Sequence, residues 1–470
     1  MENMKVSLRI TRETRKYTAQ PTTPSFLVPK SDYHNVNITM SHWQLKDLVC
    51  SSSTSHSVYF PSASNLMSLD LRHKKDRKDS SPSSSKSLKL VAKFETSPRS
   101  LKELDDVIAV SGVVSATPQG VTLGCCRGLF GLYTKHNESV INQNVGSLIN
   151  NSVSLYKTSN SLYRSILCNN DQNMYFLDIT NNGLTPTRSS INIGIPLNHS
   201  SIAPDNKSII AVGDSSKIYV LHPEENMSNV QANRSVSTSY LCGISTDWSS
   251  SGMQFSVCFQ DGANLIYDVR KQDHALHEIH STRLDASGDF RVCKFSGGTE
   301  DLLFISEHQG RVHVVDTRDY TKHQVILLPR RLYDQDTGTY TQPIVKSLEE
   351  VNAMDAAMMS LPNSNGPGFR IGQRPLPRTG AGDRANQPRR FRYDTSNEET
   401  QTGGLTRAPP EDVVLDDESM KFLDSSLEIG GLDISRVNDN GSLVIGSDDG
   451  LIHWGIDSWK RRCFPSFEMV

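Results

Sequence analysis

Apolar and polar residues alternate in short runs along most of this chain, and clusters of Gly, Asp, Asn and Ser separate the runs. That period belongs to β-strands joined by tight turns, many of which need a residue that tolerates positive φ. Three stretches superimpose as strand, turn, strand, turn, strand. They are residues 199 to 221, residues 241 to 268 with turns at Ser249-Ser250-Ser251-Gly252 and Asp261-Gly262, and residues 290 to 316 with turns at Gly297-Gly298 and Gln309-Gly310. Weaker copies run from 43 to 71, 107 to 133 and 153 to 178, and a clear one from 431 to 454. Several close on an aspartate: Leu69-Asp70-Leu71-Arg72, Leu177-Asp178-Ile179-Thr180, Tyr267-Asp268-Val269-Arg270, Val315-Asp316-Thr317-Arg318 and Ile456-Asp457-Ser458. Asp268 and Asp316 are about 48 residues apart, the lag of propeller blades, each too small to bury its faces alone.

The pattern therefore predicts an all-β fold, a seven-bladed propeller closed into a ring so that no sheet edge is left at a seam. The last outer strand is expected from Cys463 to Phe467 or from a piece of residues 1 to 40. The predicted layout is a mostly disordered segment 1–40, blades one to six over 41–328, a long disordered insertion 329–426, and the seventh blade with closure over 427–470. The insertion is rich in Arg, Pro and Gly first and in acids later, and a basic, Ser-rich loop at 72–87 interrupts the first blade; both are poor in core formers. By blade geometry the loop at 72–87 hangs from one face. The insertion follows an outer strand and rises over the other face, the one propellers commonly use for partners.

Composition changes little in this picture. With 36% hydrophobic residues, 21% charged residues and a net charge of -3, the chain is neither a polyanion binder nor wholly disordered. No run approaches the roughly 18 apolar residues of a membrane span, and the N-terminus lacks the apolar core of a signal peptide. The expectation is a cytoplasmic or nuclear protein. Its eight cysteines show no C-x-x-C spacing and several lie in apolar strands, which predicts buried reduced thiols.

Candidate chemistry is sparse. There is no G-x-S-x-G elbow, phosphate-binding P-loop or H-E-x-x-H helix, so the chain reads as non-enzymatic, with no cofactor and no metal. His308 and His313 face a structural role. Asp171, Asp214, Asp261 and Asp449 occupy the turn between the second and third strands of four blades, and His308 that of a fifth. Such tips satisfy turn geometry, and together they also form a candidate peptide-binding mouth for a basic segment or a free α-amino group. The insertion carries seven arginines between Arg370 and Arg392 without an aromatic platform, so nucleic acid is not the expected partner.

The stretch from Phe290-Arg291-Val292-Cys293-Lys294-Phe295 through Glu307-His308-Gln309-Gly310-Arg311-Val312-His313-Val314-Val315-Asp316-Thr317-Arg318 to Pro329 resembles a fungal family of WD-repeat proteins defined by a short region once labelled a domain of unknown function. Its members include a substrate receptor of the glucose-induced-degradation (GID, or CTLH) ubiquitin ligase. The resemblance implies a receptor whose propeller face grips the N-terminal residues of substrates and which docks on ligase scaffold subunits as one subunit of a larger complex. Asp268 with Arg270 and Asp316 with Arg318 also look like the D-x-R box by which many WD-repeat receptors hold a cullin-ligase adaptor, with the tryptophan of that box replaced. The alternative is a scaffold in nuclear, signalling or trafficking complexes. The paired-arginine motif of lipid-binding propellers is absent.

Overall fold

The computed structural model describes residues 25–42, 44–72, 87–114, 127–158, 162–180, 183–222, 232–283, 285–298, 300–359, 417–437 and 440–457. Seven antiparallel sheets account for nearly all of its strands. Blade 1 holds Cys50–Ser51, Ser57–Ser62, Asn65–Asp70 and Leu88–Lys93. Blade 2 holds Thr96–Leu104, Val107–Val114, Gly128–Thr134 and Ser139–Asn144, and blade 3 Asn150–Lys157, Tyr163–Asn169, Asn173–Thr180 and Gly183–Asn192. Blade 4 comprises Leu197–Ile202, Ile209–Gly213, Lys217–Leu221 and Ala232–Ser237, and blade 5 Gly243–Trp248, Gln254–Phe259, Ala263–Asp268 and His277–His280. Blade 6 begins with Phe290–Phe295, Leu302–Glu307, Arg311–Asp316 and His323–Leu327, and blade 7 with Ile429–Val437, Asn440–Ser447 and Gly450–Gly455. In each blade the strands run a to d outward from a central channel. The seven a strands touch one another in cyclic order, and that of blade 7 touches that of blade 1. The fold is the expected seven-bladed propeller.

The alternating pattern explains why the blades stack. In Ile209–Gly213, Ile209 and Ala211 join an apolar layer shared with blade 3, while Ile210 and Val212 join one shared with blade 5. Successive side chains point to opposite sheet faces, so a strand buried on both faces reads as a continuous apolar run. Seven such layers lie between neighbouring blades. The turns behave as expected: Gly262 and Gly310 have φ of 75° and 66°, and a Cβ on Gly310 would meet Ser425 Cβ at 2.8 Å.

Two expectations need sharpening or correction. A piece of residues 1 to 40, one of the two candidates for the last outer strand, closes the ring: Asp32–His34 pairs with the third strand of blade 7 in the register Asp32 to His453, Tyr33 to Ile452 and His34 to Leu451. Phe26 and Leu27 are buried in the layer between blades 6 and 7, and Trp454 Nε1 donates to Val28 O at 2.8 Å. The apolar residues of 25–40 are buried because blade 7 has only three strands of its own. The other candidate for this strand, Cys463 to Phe467, lies outside the described residues.

The second correction concerns the ends of the insertion 329–426. Ile344–Ser347 adds a fifth strand to blade 6, beside His323–Leu327. It leads into helix α1 (Leu348–Met359), and a second helix, α2 (Asp417–Leu423), returns to the same place. Val351, Met354, Phe422 and Leu423 bury one another against Val325 and Leu327. Arg311, itself buried, donates two hydrogen bonds of 2.7 Å to Asp355 and ties α1 to the blade. A hairpin, Tyr333–Asp334 with Thr339–Tyr340, brings Tyr333 and Tyr340 to stack with Tyr33, with ring centroids 5.7 and 5.2 Å away. The arginine-rich residues 370–392 and the centre of the loop at 72–87 lie outside the described residues.

Candidate functional site

The upper face of the ring carries the turns between strands b and c and the connections from strand d to the next strand a. On this face the channel mouth is lined by Leu45, Lys46, Arg99, Asn151, Asn198, Ile244 and Arg291, and there is room for little more than a water between them. Their placement has one local cause. The pairing of strands a and b slips at Pro98/Ser100, Asn150/Ser152, Leu197/His199, Gly243/Ser245, Phe290/Val292 and Ile429/Gly431. The residue skipped in each blade is Arg99, Asn151, Asn198, Ile244, Arg291 or Gly430. A bulge leaves one residue out of the ladder and re-aims its side chain. Five blades thus each deliver one position to the mouth, Gly430 facing Met40 and Ile38 instead, and Lys46 enters from the segment before blade 1.

These positions do chemistry of two kinds. Asn151 and Asn198 repeat one hydrogen bond: Asn151 Nδ2 donates to Leu197 O at 2.8 Å, and Asn198 Nδ2 to Gly243 O at 3.0 Å, each reaching the first strand of the next blade. The basic positions gather charge. Lys46 Nζ donates to Glu428 at 2.9 Å and meets His308 Nδ1 at 3.0 Å, while Arg291 is held by Asp289 at 3.1 Å. Burial, then Arg99, Arg291 and Lys46, push His42 down to about 4, which leaves it neutral at ordinary pH. Burial also lowers Lys46, against the pull of Glu428.

The acidic turn tips stand around this mouth, each already engaged. Asp171 accepts from Ser147 N at 2.8 Å and from Tyr175 Oη at 2.7 Å; burial raises its carboxyl, but these bonds outweigh that and hold it below its ordinary value. Asp214 accepts from Asn198 Nδ2 at 3.0 Å, and Asp261 from Leu241 N at 3.2 Å. Asp449 accepts from Leu332 N at 2.6 Å and so fixes the hairpin of the insertion. The five predicted positions, Asp171, Asp214, Asp261, His308 and Asp449, share one face as expected, although the mouth itself is made by bulge residues that periodicity alone does not single out. One signal was available: Asn151 and Asn198 occupy the same place in successive repeats.

Beside Asp449 lies the more open hollow of this face, about 370 Å³, lined by Arg330, Arg331, Tyr333, Gln335, Leu427, Asp448 and Asp449. Burial, then Glu428 and Asp449, push Asp448 up to about 6. Three carboxylates crowd here. Among the described residues, no group of three or more His, Cys, Asp or Glu is placed to hold a metal.

Below the mouth the channel is closed by charge. Asp47, which with His199 lines the same small cavity, pairs with Lys102 at 2.5 Å, His199 at 3.6 Å and Lys294 at 3.9 Å, all buried except the half-buried Lys102. Burial raises the Asp47 carboxyl, but Lys102 and then Lys294 hold it well below the usual carboxylate range. Asp247 and Asp433, pushed up by burial, accept from Phe295 N at 2.7 Å and Ser51 N at 2.6 Å. On that lower face Arg270 folds back on its own Asp268, with Nη2 2.6 Å from Oδ2. Arg318 does likewise on Asp316, at 3.5 Å.

The stretch 288–327 matches a family model described as an uncharacterised protein domain (DUF2415). It is blade 6. Within it Glu307 accepts from His313 at 3.0 Å and is paired with Arg283 at 2.7 Å, and His313 meets His323 at 2.8 Å. Glu307, His313 and His323 are therefore buried supports of the blade rather than part of the mouth. The chain is also similar to the uncharacterized protein YLR149C of Saccharomyces cerevisiae, 34% identical over 238 residues that cover 44% of this chain and 33% of that protein. The match thus spans a third of that relative's length. The uncharacterized protein C4G3.03 of Schizosaccharomyces pombe is 22% identical over 301 residues, covering 63% of this chain and 79% of that protein.

Proposed function

We propose that the protein is a recognition subunit that holds a terminal segment of other proteins on the upper face of its propeller, and that it serves as a substrate receptor of a ubiquitin ligase of the GID/CTLH type in the cytoplasm or nucleus. The observation that carries the recognition reading is the pairing of two unlike surfaces on one face. Hydrogen-bond donors (Arg99, half-buried at the mouth, with the exposed Arg330 and Arg331) lie beside the carboxylates of the hollow, Asp448 and Asp449, on which Glu428 adds its negative charge. A peptide N-terminus brings the complementary groups, an α-ammonium for the carboxylates and carbonyls for the donors. Charge crowding at Asp448 favours that ammonium, because a cation relieves the repulsion that raises the carboxyl.

The ligase part of the proposal is supported by the resemblance of blade 6 to the fungal receptor family. The test has two arms. A peptide with a free N-terminus should bind and its acetylated form should not, and Asp448→Asn with Asp449→Asn should weaken binding at least about tenfold with the unfolding midpoint retained. Equal binding of both peptide forms removes the N-terminus reading. Independently, the tagged chain purified from its own cells under varied nutrient supply should bring down ligase subunits; their absence in every condition leaves a plain scaffold. A second reading has its own observation, since Asp268–Arg270 and Asp316–Arg318 repeat at the same place on adjacent blades with both arginines half-exposed or more. An adaptor held there is lost on Arg270→Glu with Arg318→Glu.

A further inference from the structure

An outermost strand of a blade presents an edge of backbone donors and acceptors, and its outward side chains tell whether water or protein covers it. Blade 5 exposes Glu278 and His280 there, and blade 4 exposes Arg234, Ser235 and Ser237. Blade 6 differs because its strand His323–Leu327 is buried throughout, covered by the added strand Ile344–Ser347. Blade 1 has neither solution. Among the described residues its outer strand Leu88–Lys93 pairs only with Asn65–Asp70, yet Leu88 is 41% and Leu90 61% exposed. Leu90 is the most exposed large apolar side chain among the described residues. The two leucines stand two apart and so share a side of the strand. Opposite them, Met67 and Leu69 lead into the apolar layer between blades 7 and 1. Lys89 and Lys93 stand exposed between and beside the leucines.

We propose that this edge takes an extended segment of a partner protein as a fifth strand of blade 1, and that the segment alternates aliphatic with acidic side chains. The backbone of the added strand pairs with Leu88–Lys93 as Ile344–Ser347 pairs with His323–Leu327 in blade 6. Its aliphatic side chains cover Leu88 and Leu90 and its carboxylates meet Lys89 on the other side, while Lys93, turned by the slip in pairing at Val91 to the leucines' side, attracts an acid at the end of the segment. A second copy of the same edge is disfavoured, because antiparallel self-pairing sets lysine against lysine. This surface lies on the rim of the ring and does not depend on how the mouth is used.

The test uses the full chain and two labelled peptides, one alternating valine with glutamate and one alternating valine with lysine. The glutamate peptide should bind saturably and slow amide exchange in Leu88–Lys93; the lysine peptide should not. Leu88→Ser with Leu90→Ser should weaken binding at least about tenfold, and Lys89→Glu with Lys93→Glu should reverse the preference between peptides. All four side chains point into water, so the unfolding midpoints should stay in place. The proposal is overturned if neither peptide binds saturably, or if binding ignores both double variants. It is also overturned if these amides are already protected in the free chain, which would mean that the chain's own residues or a second copy cover the edge; sedimentation at rising concentration tells those two apart.

Discussion

The two ends of the central channel are built by the same inner strands and use charge in opposite ways. At the lower end Asp47, Lys102, Lys294 and His199 neutralise one another out of water, and Asp247 and Asp433 are tied to backbone amides. At the upper end a bulge in each of five blades turns one residue into a narrow mouth, where Lys46 and Arg291 are buried on Glu428 and Asp289, and beside it lies an open hollow lined by Arg330, Arg331, Asp448 and Asp449. Paired and buried charges, Lys46 and Arg291 among them, hold a structure together but have nothing left for a ligand; exposed charges such as Arg330, Arg331 and Asp448 around the hollow can exchange partners. The comparison separates residues that keep the ring shut from those on which the proposed function draws.

The sharpest way to break it is Asp47→Ala, which leaves Lys102 and Lys294 buried without their common acceptor. A loss of about 3–5 kcal/mol is expected in denaturant unfolding, with no specific change in peptide affinity among molecules that remain folded. A loss smaller than about 1 kcal/mol would show that water reaches the lower end.

Acid should come next. Burial lowers His42, His199 and His323, the last also through His313 and His277, so the unfolded chain takes up their protons first. Their contribution is complete above about pH 6.5 and is lost as pH falls below it. Asp47 and Glu307, both held below the ordinary range, add a further loss below about pH 4.5. Asp448 runs the other way. Its carboxyl, at about 6, is protonated first in the folded state, so its contribution improves on acidification from pH 6 toward 4. Thermal unfolding across pH, with Asp448→Asn beside the wild type, separates the two senses.

At the mouth, Arg99→Ala should change stability by less than about 1 kcal/mol while weakening peptide binding several-fold, read by calorimetry on one sample. The smallest effect belongs to Arg270→Ala with Arg318→Ala. Both guanidiniums are half-exposed or more, and Asp316, itself buried, keeps the Arg318 backbone N–H as a donor, so almost no shift of the melting temperature is expected.

Much of the ring is legible from single stretches of chain. The turns at Asp261-Gly262 and Gln309-Gly310 and the apolar run Ile209–Gly213 announce blades because their causes are local, a positive φ in one case and burial on both sheet faces in the other. The acidic tips could be placed on one face by counting strands. The bulge residues could not, since the slip that frees Arg99 or Arg291 is a property of two paired strands and leaves no period in either. Glu307, His323 and Arg311 escaped for a similar reason: each looks like a strand polar residue until α1 brings Asp355 to Arg311 and Arg283 reaches Glu307 from the preceding connection.

By itself, then, the order of residues determined the number and kind of blades, because strand periodicity, turn chemistry and repetition are set by neighbours along the chain. Only the assembled ring decided that Asp32–His34 would complete blade 7 beside residues more than 400 positions away, that Ile344–Ser347 would widen blade 6, and which side chains would meet at the mouth. Those outcomes depend on which edges remain open once the sheets have closed on one another, and an open edge exists only in three dimensions.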